Sequence, residues 1–459
     1  MLDECPICLG KKDYETWIQC SKCNQWFHSD CLQISKHNLG DFVVFHCSAC
    51  SIKYGPSQYK RKSKRSRIAI DYVALHEGDS FALDKASHFH LPRFLKFTGE
   101  QKISIQKNLT RSLQPTLIPN VNCDLVGMKL PLPRKDITME YITECRGPDC
   151  PVEVMDVISQ QGVTPGWKLH QWRDYFNTEE QHRDRLRNVI SLEISDAPGL
   201  GTDFERPKFV REMDIVDKVW DDDDQERSKV TKYCLMSVKD AFTDFHIDFG
   251  GTSVYYTVIK GCKSFIMFPP TQDNLDIYIS WCLQSNQNFI WYPDHFVFRD
   301  KKKIYPTGGI KITLQPGDLF MIPSGWIHCV HTPQDSIVIG GNYLTLRDMP
   351  TQLKIYDIER VTKVPAKFRF PMFNKVIWLS AIYYANHREE FDKDAGDTEN
   401  GRKILEAIVQ HLERHLELSK TNSTAKRSVP KTINPVEFLQ TLKTWRDDYI
   451  TQTKKEDSI

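Results

Sequence analysis

His246-Ile247-Asp248 sets an imidazole and a carboxylate two residues apart. On a β-strand, residues i and i+2 share a face, so both groups would aim at one spot. A third donor from another strand would complete two histidines and one carboxylate. That set binds iron(II) on one octahedral face and leaves three positions open for 2-oxoglutarate and oxygen. The same spacing recurs at His28-Ser29-Asp30 and His182-Arg183-Asp184, so the tripeptide alone says little. The first of these lies among closely spaced cysteines, the second in a charged segment that reads as helical. Only His246 is followed by the rest of a pattern. Two residues, His328 and His331, compete for the third position. The turn in PSGWIH puts His328 at the start of the strand that follows, whereas His331, three residues on, would point elsewhere. His328 is therefore the predicted third donor.

A second group of donors stands at the N-terminus: Cys5-x2-Cys8-x11-Cys20-x2-Cys23-x4-His28-x2-Cys31-x15-Cys47-x2-Cys50. Seven thiolates and one imidazole suffice for two closed tetrahedral zinc sites. They also explain how so small a piece folds without a large core. The remaining cysteines, Cys123, Cys145, Cys150, Cys234, Cys262, Cys282 and Cys329, are isolated and read as structural. Such usage belongs to a reducing compartment. The opening MLDECPIC has acid and cysteine where a signal peptide has a basic and then an apolar run. The longest apolar stretch, residues 376–385, is too short to cross a bilayer. An intracellular protein is predicted.

The elements that must position these groups follow from patterning. The chain has 459 residues and a formal net charge of +1, so the whole molecule is no electrostatic nucleic-acid binder. Residues 233–238, 253–259, 264–268, 311–314, 319–322 and 336–344 are rich in β-formers. Turn signals at Pro316-Gly317-Asp318 and Ser324-Gly325 separate the later ones. Short strands and tight turns predict a mainly β core of the sandwich or jelly-roll type. Gly250 and Gly251, beside the metal strand, would admit a close backbone or form a bulge. After residue 352 the pattern turns helical. Apolar residues in 402–418 keep helical spacing, and Asn434, Pro435 and Glu437 make an N-terminal cap. Residues 388–401 and 419–432 read as polar loops. The acidic run 221–224 reads as a loop tip. The run 60–67, from Lys60 to Arg67, is basic and suits nuclear targeting or DNA-backbone contact.

The ligand order of the N-terminal module, four cysteines, one histidine and three cysteines with Trp26 before His28, resembles a PHD finger. That resemblance implies interleaved sites: Cys5, Cys8, His28 and Cys31 on one zinc, Cys20, Cys23, Cys47 and Cys50 on the other. It also implies a histone-tail partner. Trp17 and Trp26 match positions of a methyl-lysine cage, with Tyr14 a candidate third wall; an aromatic common before the first cysteine is Glu4 here.

FTDFHIDFGGTSVYYTVIKGCKSF, GDLFMIPSGWIHCVHTP and GGNYL resemble the JmjC domain, most closely that of fungal demethylases acting on lysine 36 of histone H3. The implied fold is a double-stranded β-helix with flanking helices. The implied organisation is a finger at 1–52, a basic linker at 53–70, a mixed segment at 71–190 packing on the core, a catalytic domain at 191–350 and a helical region at 351–459. The resemblance assigns iron to His246, Asp248 and His328. It assigns the distal carboxylate of 2-oxoglutarate to Lys263 and Thr243, and further co-substrate contacts to Tyr256 and Asn188. The expected cofactors are Fe(2+), two Zn(2+), and 2-oxoglutarate and O2 as co-substrates. The implied enzyme is a nuclear 2-oxoglutarate-dependent dioxygenase that demethylates mono- and dimethyl-lysine on nucleosomal histone H3 and binds no membrane. A protein hydroxylase with the same metal set, or a non-enzymatic chromatin reader, are the competing readings.

Overall fold

The computed structural model describes residues 4–8, 16–32, 34, 39, 42–59, 90–99, 113–163, 165–221, 224 and 226–456. The chain divides into two compact units, Met1–Ile68 and Ala69–Ile459.

In the small unit, Trp17–Gln19 and Trp26–His28 pair antiparallel, with Trp17 opposite His28 and Gln19 opposite Trp26. A second short ribbon joins Phe42–Val44 to Gln58–Tyr59, and the helix Ser48–Tyr54 lies between them in sequence. Among the described residues the fully buried centre is small, Phe27 and Phe45 with Cys5, Cys20, Cys47 and Cys50, flanked by partly buried Trp17, Ile18, Leu32, Ile34 and Phe42. So few apolar groups cannot offset the entropy of ordering the chain, and the cysteine clusters must supply the difference.

The large unit is built on an antiparallel ten-stranded sheet. Its order runs Thr116–Ile118, Leu319–Ile322, Ser253–Phe268, Ile327–Tyr343, Tyr233–Ser237, Arg187–Glu193, Met155–Asp156, Gln161–Gly162. Phe242–His246 pairs with the 327–343 strand and Ile310–Leu314 with the 253–268 strand. The long strands exchange partners along their length, which rolls the sheet into a jelly roll, as predicted. Alternation decides the faces. Val254, Tyr256, Val258, Phe265 and Met267 point inward with Ile312, Leu314, Phe320 and Val338. Met236, Ile337 and Ile339 point outward onto Trp172, Phe176 and Ile142.

Two strands are longer than patterning suggests. Residues 253–259 and 264–268 form one strand, Ser253–Phe268, because Gly261 at φ +78° carries the chain through a series of register shifts without ending it. Ile327–Tyr343 likewise runs past Pro333, which falls between the Ser264–His331 and Cys262–Gln334 pairs. There a proline's missing N–H costs no ladder bond.

The C-terminal region is helical, and more fully than expected. Residues 388–401 hold the helix Arg388–Ala395 and the start of Thr398–Ser419, and 419–432 hold Ser423–Arg427. Local polarity hid these helices, and tertiary packing makes them. Phe391 is buried against Trp445 with ring centres 4.9 Å apart, and the Asp397 carboxylate caps the longer helix by accepting Asn400 N–H at 2.8 Å. Asn434 caps Pro435–Glu456 through Val436 N–H at 3.1 Å, as predicted. Of the acidic run, Asp222 and Asp223 lie outside the described residues. Asp224 is no free tip: it accepts Trp220 Nε1–H at 2.7 Å and pairs with Lys375 at 3.2 Å. No helix among the described residues is long and apolar enough to cross a membrane.

Candidate metal centres and the anion pocket

His246 is the last residue of its strand and His328 the second of the neighbouring one, and the two are directly paired in register. Their ring centres lie 4.3 Å apart. Asp248 falls just past the strand end, at the head of a one-turn helix Phe249–Gly251, rather than on the strand itself. That turn swings its carboxylate to 3.8 Å from His328 Nε2. One donor atom from each of His246, Asp248 and His328 lies within 4.8 Å of the others.

The imidazoles are oriented before any ion arrives. His246 Nδ1–H donates to the Asp244 carbonyl at 2.8 Å, and His328 Nδ1–H to the Trp326 carbonyl at 3.0 Å. In the neutral ring this tautomer leaves Nε2 as the lone pair a metal requires. Burial, then the neighbouring His328 ring, hold the His246 pKa down at about 4, so the ring stays neutral and able to ligate at neutral pH. This donor set, two neutral imidazoles and one carboxylate, suits iron(II).

His331 is directed away. Its Nε2 lies 3.3 Å from Asp240 Oδ1, and its ring packs on Phe94. The other two His-x-Asp tripeptides are spent as well. His182 ends a short 3-10 helix, Glu180–His182, and Asp184 binds the Arg187 guanidinium twice, at 2.5 and 2.8 Å.

The inner face also carries a buried polar cluster. Lys263 sits inside the 253–268 strand and is 3 % exposed. Its ammonium donates to Ser237 Oγ at 2.6 Å and Thr332 Oγ1 at 2.8 Å. Ser237 Oγ–H donates to Asn188 Oδ1, and Asn188 Nδ2 donates to Thr243 Oγ1 at 3.2 Å. Asn188 is a strand residue of Arg187–Glu193. Among the described residues no carboxylate pairs with Lys263, and burial pulls its pKa down to about 7. A buried lysine ringed by neutral hydroxyls has the chemistry to hold an anion. Tyr256 lies on the same face against Phe265, whose ring is in turn 6.0 Å from His328. Ser237 and Thr332 escaped the sequence reading, because a hydroxyl on a strand carries no signal until register shows what it faces.

Gly250 and Gly251 are required by packing. Both have left-handed φ, +60° and +62°. A Cβ on Gly250 would come within 3.0 Å of Phe370 Cβ, and one on Gly251 within 3.0 Å of Ile355.

In the small unit, Cys5, Cys8, His28 and Cys31 form one cluster and Cys20, Cys23, Cys47 and Cys50 another. His28 Nδ1 is 3.2 Å from Cys8 Sγ, and Cys23 Sγ is 3.8 Å from Cys47 Sγ. Backbone N–H groups of His28 and Cys47 donate to Cys5 and Cys20 sulfur at 3.4 and 3.3 Å. Burial alone would raise the Cys20 thiol; N–H groups of Cys23, Cys47 and Lys22 outweigh it and hold it at about 6. The two donor sets, three cysteines with one histidine and four cysteines, are compatible with two zinc ions. Trp17 and Trp26 share one face of their ribbon, both half-buried, with Trp17 edge-on to the His28 ring at 3.9 Å. Tyr14 lies outside the described residues, as does the run 60–67.

Jelly roll, two-histidine-one-carboxylate cluster and cysteine-rich module together define a JmjC-type protein with a PHD finger. Residues 5–50 match the PHD-finger family, 177–348 the cupin-like domain and 347–445 the Jumonji helical domain. The chain is 59 % identical to JmjC domain-containing histone demethylation protein 1 of Candida albicans, over 97 % of this chain and 98 % of that protein. The protein of the same name from Debaryomyces hansenii is 48 % identical over 97 % and 99 %, and that from Saccharomyces cerevisiae 36 % over 91 % and 95 %. The chain belongs to the JmjC domain-containing histone demethylation protein 1 family.

Proposed function

We propose that this protein demethylates mono- and dimethylated lysine 36 of histone H3, consuming 2-oxoglutarate and oxygen at iron(II) and releasing succinate and formaldehyde. The observation that carries the reading is the pairing of two sites on one inner face: three metal donors within 4.8 Å, and a buried lysine with no acidic partner among the described residues. Iron(II) bound by His246, Asp248 and His328 would supply oxygen activation coupled to decarboxylation of the keto acid, the chemistry that hydroxylates an N-methyl carbon.

The chain's own residues bind and orient. Lys263 neutralises a distal carboxylate, with Thr243 donating a hydroxyl hydrogen and Asn188 holding Thr243 in place. Tyr256 and Phe265 wall the space toward His328 and exclude water. The finger binds a histone tail, with Trp17 and Trp26 as two walls for a methylated ammonium. A nuclear location and a nucleosomal partner follow from the same reading, with the run 60–67 proposed for nuclear import or DNA-backbone contact.

The test is mass spectrometry of a dimethyl-lysine-36 histone H3 peptide incubated with protein, iron(II), ascorbate and 2-oxoglutarate. Methyl loss with formaldehyde release is expected for the wild type and none for His246→Ala. A gain of oxygen mass without formaldehyde would identify a hydroxylase instead, and an unchanged peptide would reject the assignment.

A further inference from the structure

Ser336 is fully buried, at 0 % exposure, and its hydroxyl has no hydrogen-bond partner among the described residues. It stands directly opposite Ser237 in the antiparallel pairing of the 233–237 and 327–343 strands. Directly opposed residues share a face, with Cβ atoms about 5 Å apart. That face is the inner one: Thr332 and Val338, at even spacing from Ser336, join the Lys263 cluster and the inner apolar core. The neighbouring hydroxyls have set duties. The Ser237 hydrogen is committed to Asn188, and its oxygen receives Lys263. Thr332 oxygen receives Lys263 as well. Ser336 alone of these keeps both donor and acceptor unused. An unpaired buried hydroxyl costs stability, and a carboxylate arriving beside Lys263 would satisfy it.

We infer that Ser336 donates a hydrogen bond to the distal carboxylate of the keto acid and helps set the protein's selectivity for a five-carbon dicarboxylate. This rests on the anion-pocket reading of Lys263 given above. The experiment is calorimetric titration of the full chain loaded with manganese(II), using 2-oxoglutarate, glutarate and oxalate as probes. Glutarate offers the distal carboxylate without the metal-chelating keto acid, and oxalate the reverse. Ser336→Ala is expected to weaken 2-oxoglutarate and glutarate about tenfold and to leave oxalate unchanged. The ligand-free variant should melt no lower than the wild type, since the substitution removes an unsatisfied donor. Lys263→Met runs alongside. If it abolishes glutarate binding while Ser336→Ala binds like the wild type, the inference about Ser336 falls and the pocket reading stands. If neither variant changes glutarate or 2-oxoglutarate binding, both fall. Equal weakening of oxalate by Ser336→Ala would also overturn the inference, by showing a general loss of the fold around the metal.

Discussion

The Glu359 carboxylate accepts the Gly250 backbone N–H at 2.7 Å, so a helix of the C-terminal region, Met349–Val361, grips the turn that begins at Asp248. Burial raises the Glu359 pKa from its ordinary 4.5 to about 7, against the opposing effects of the Gly250 bond and Arg369. A raised folded-state value means the folded chain holds an extra proton between those two limits. Stability from this group therefore falls as pH rises from about 4.5 to about 7, and stays lower above that. Glu359→Gln keeps an oxygen for Gly250 and removes the titration. It should flatten that part of the pH dependence and stabilise the protein at pH 8 by about 3 kcal/mol. Urea unfolding at pH 5 and pH 8 checks this; parallel curves for both proteins would contradict it.

Gly251→Ala should cost about 2–4 kcal/mol, from a left-handed backbone and a Cβ pressed to 3.0 Å from Ile355 and 3.1 Å from Gln352 Cα. Because the strain falls three residues from Asp248, iron content after reconstitution should drop as well. Full metal loading at lowered stability would show that the turn is more tolerant than this packing implies.

Lys263 offers the opposite sign. Burial depresses its pKa to about 7, so the unfolded chain binds the extra proton between about pH 7 and its ordinary 10.5. Ligand-free stability should rise with pH across that window. Lys263→Met should remove that rise and weaken 2-oxoglutarate by about 2–5 kcal/mol, the usual cost of removing one partner of a buried charge pair. Thermal melts between pH 7 and 9, with and without 2-oxoglutarate, read both effects.

Zinc removal should act locally. A chelator should unfold the small unit, whose fully buried centre among the described residues is Phe27, Phe45 and cysteines, and expose the thiols of Cys5, Cys8, Cys20, Cys23, Cys31, Cys47 and Cys50 to a thiol reagent. The jelly-roll transition should keep its midpoint. A common midpoint shift of both transitions would count against independent folding of the two units.

Local spacing made much of this legible. Cysteine pairs two residues apart, the Asn434 cap and the turns around Pro316 and Ser324 each involve residues a few positions from one another, and the structure places the corresponding elements where the spacing puts them. Errors arose where the deciding contact was remote. Residues 388–401 look polar on their own, yet Phe391 finds Trp445 and a helix results. Gly261 looks like a strand end, yet pairing on both sides carries the strand through.

By itself the sequence specified which groups could do chemistry: His246 with Asp248, the eight donors of the finger, and the β-rich runs around them. Only the tertiary structure decided that His328, the donor the PSGWIH turn predicts, stands directly opposite His246, and that Lys263 reaches Ser237 and Thr332, 26 and 69 residues away. Strand register sets both outcomes. A shift of one residue turns a side chain to the opposite face, and what holds the register is the burial of one face of each strand against residues distant in the chain.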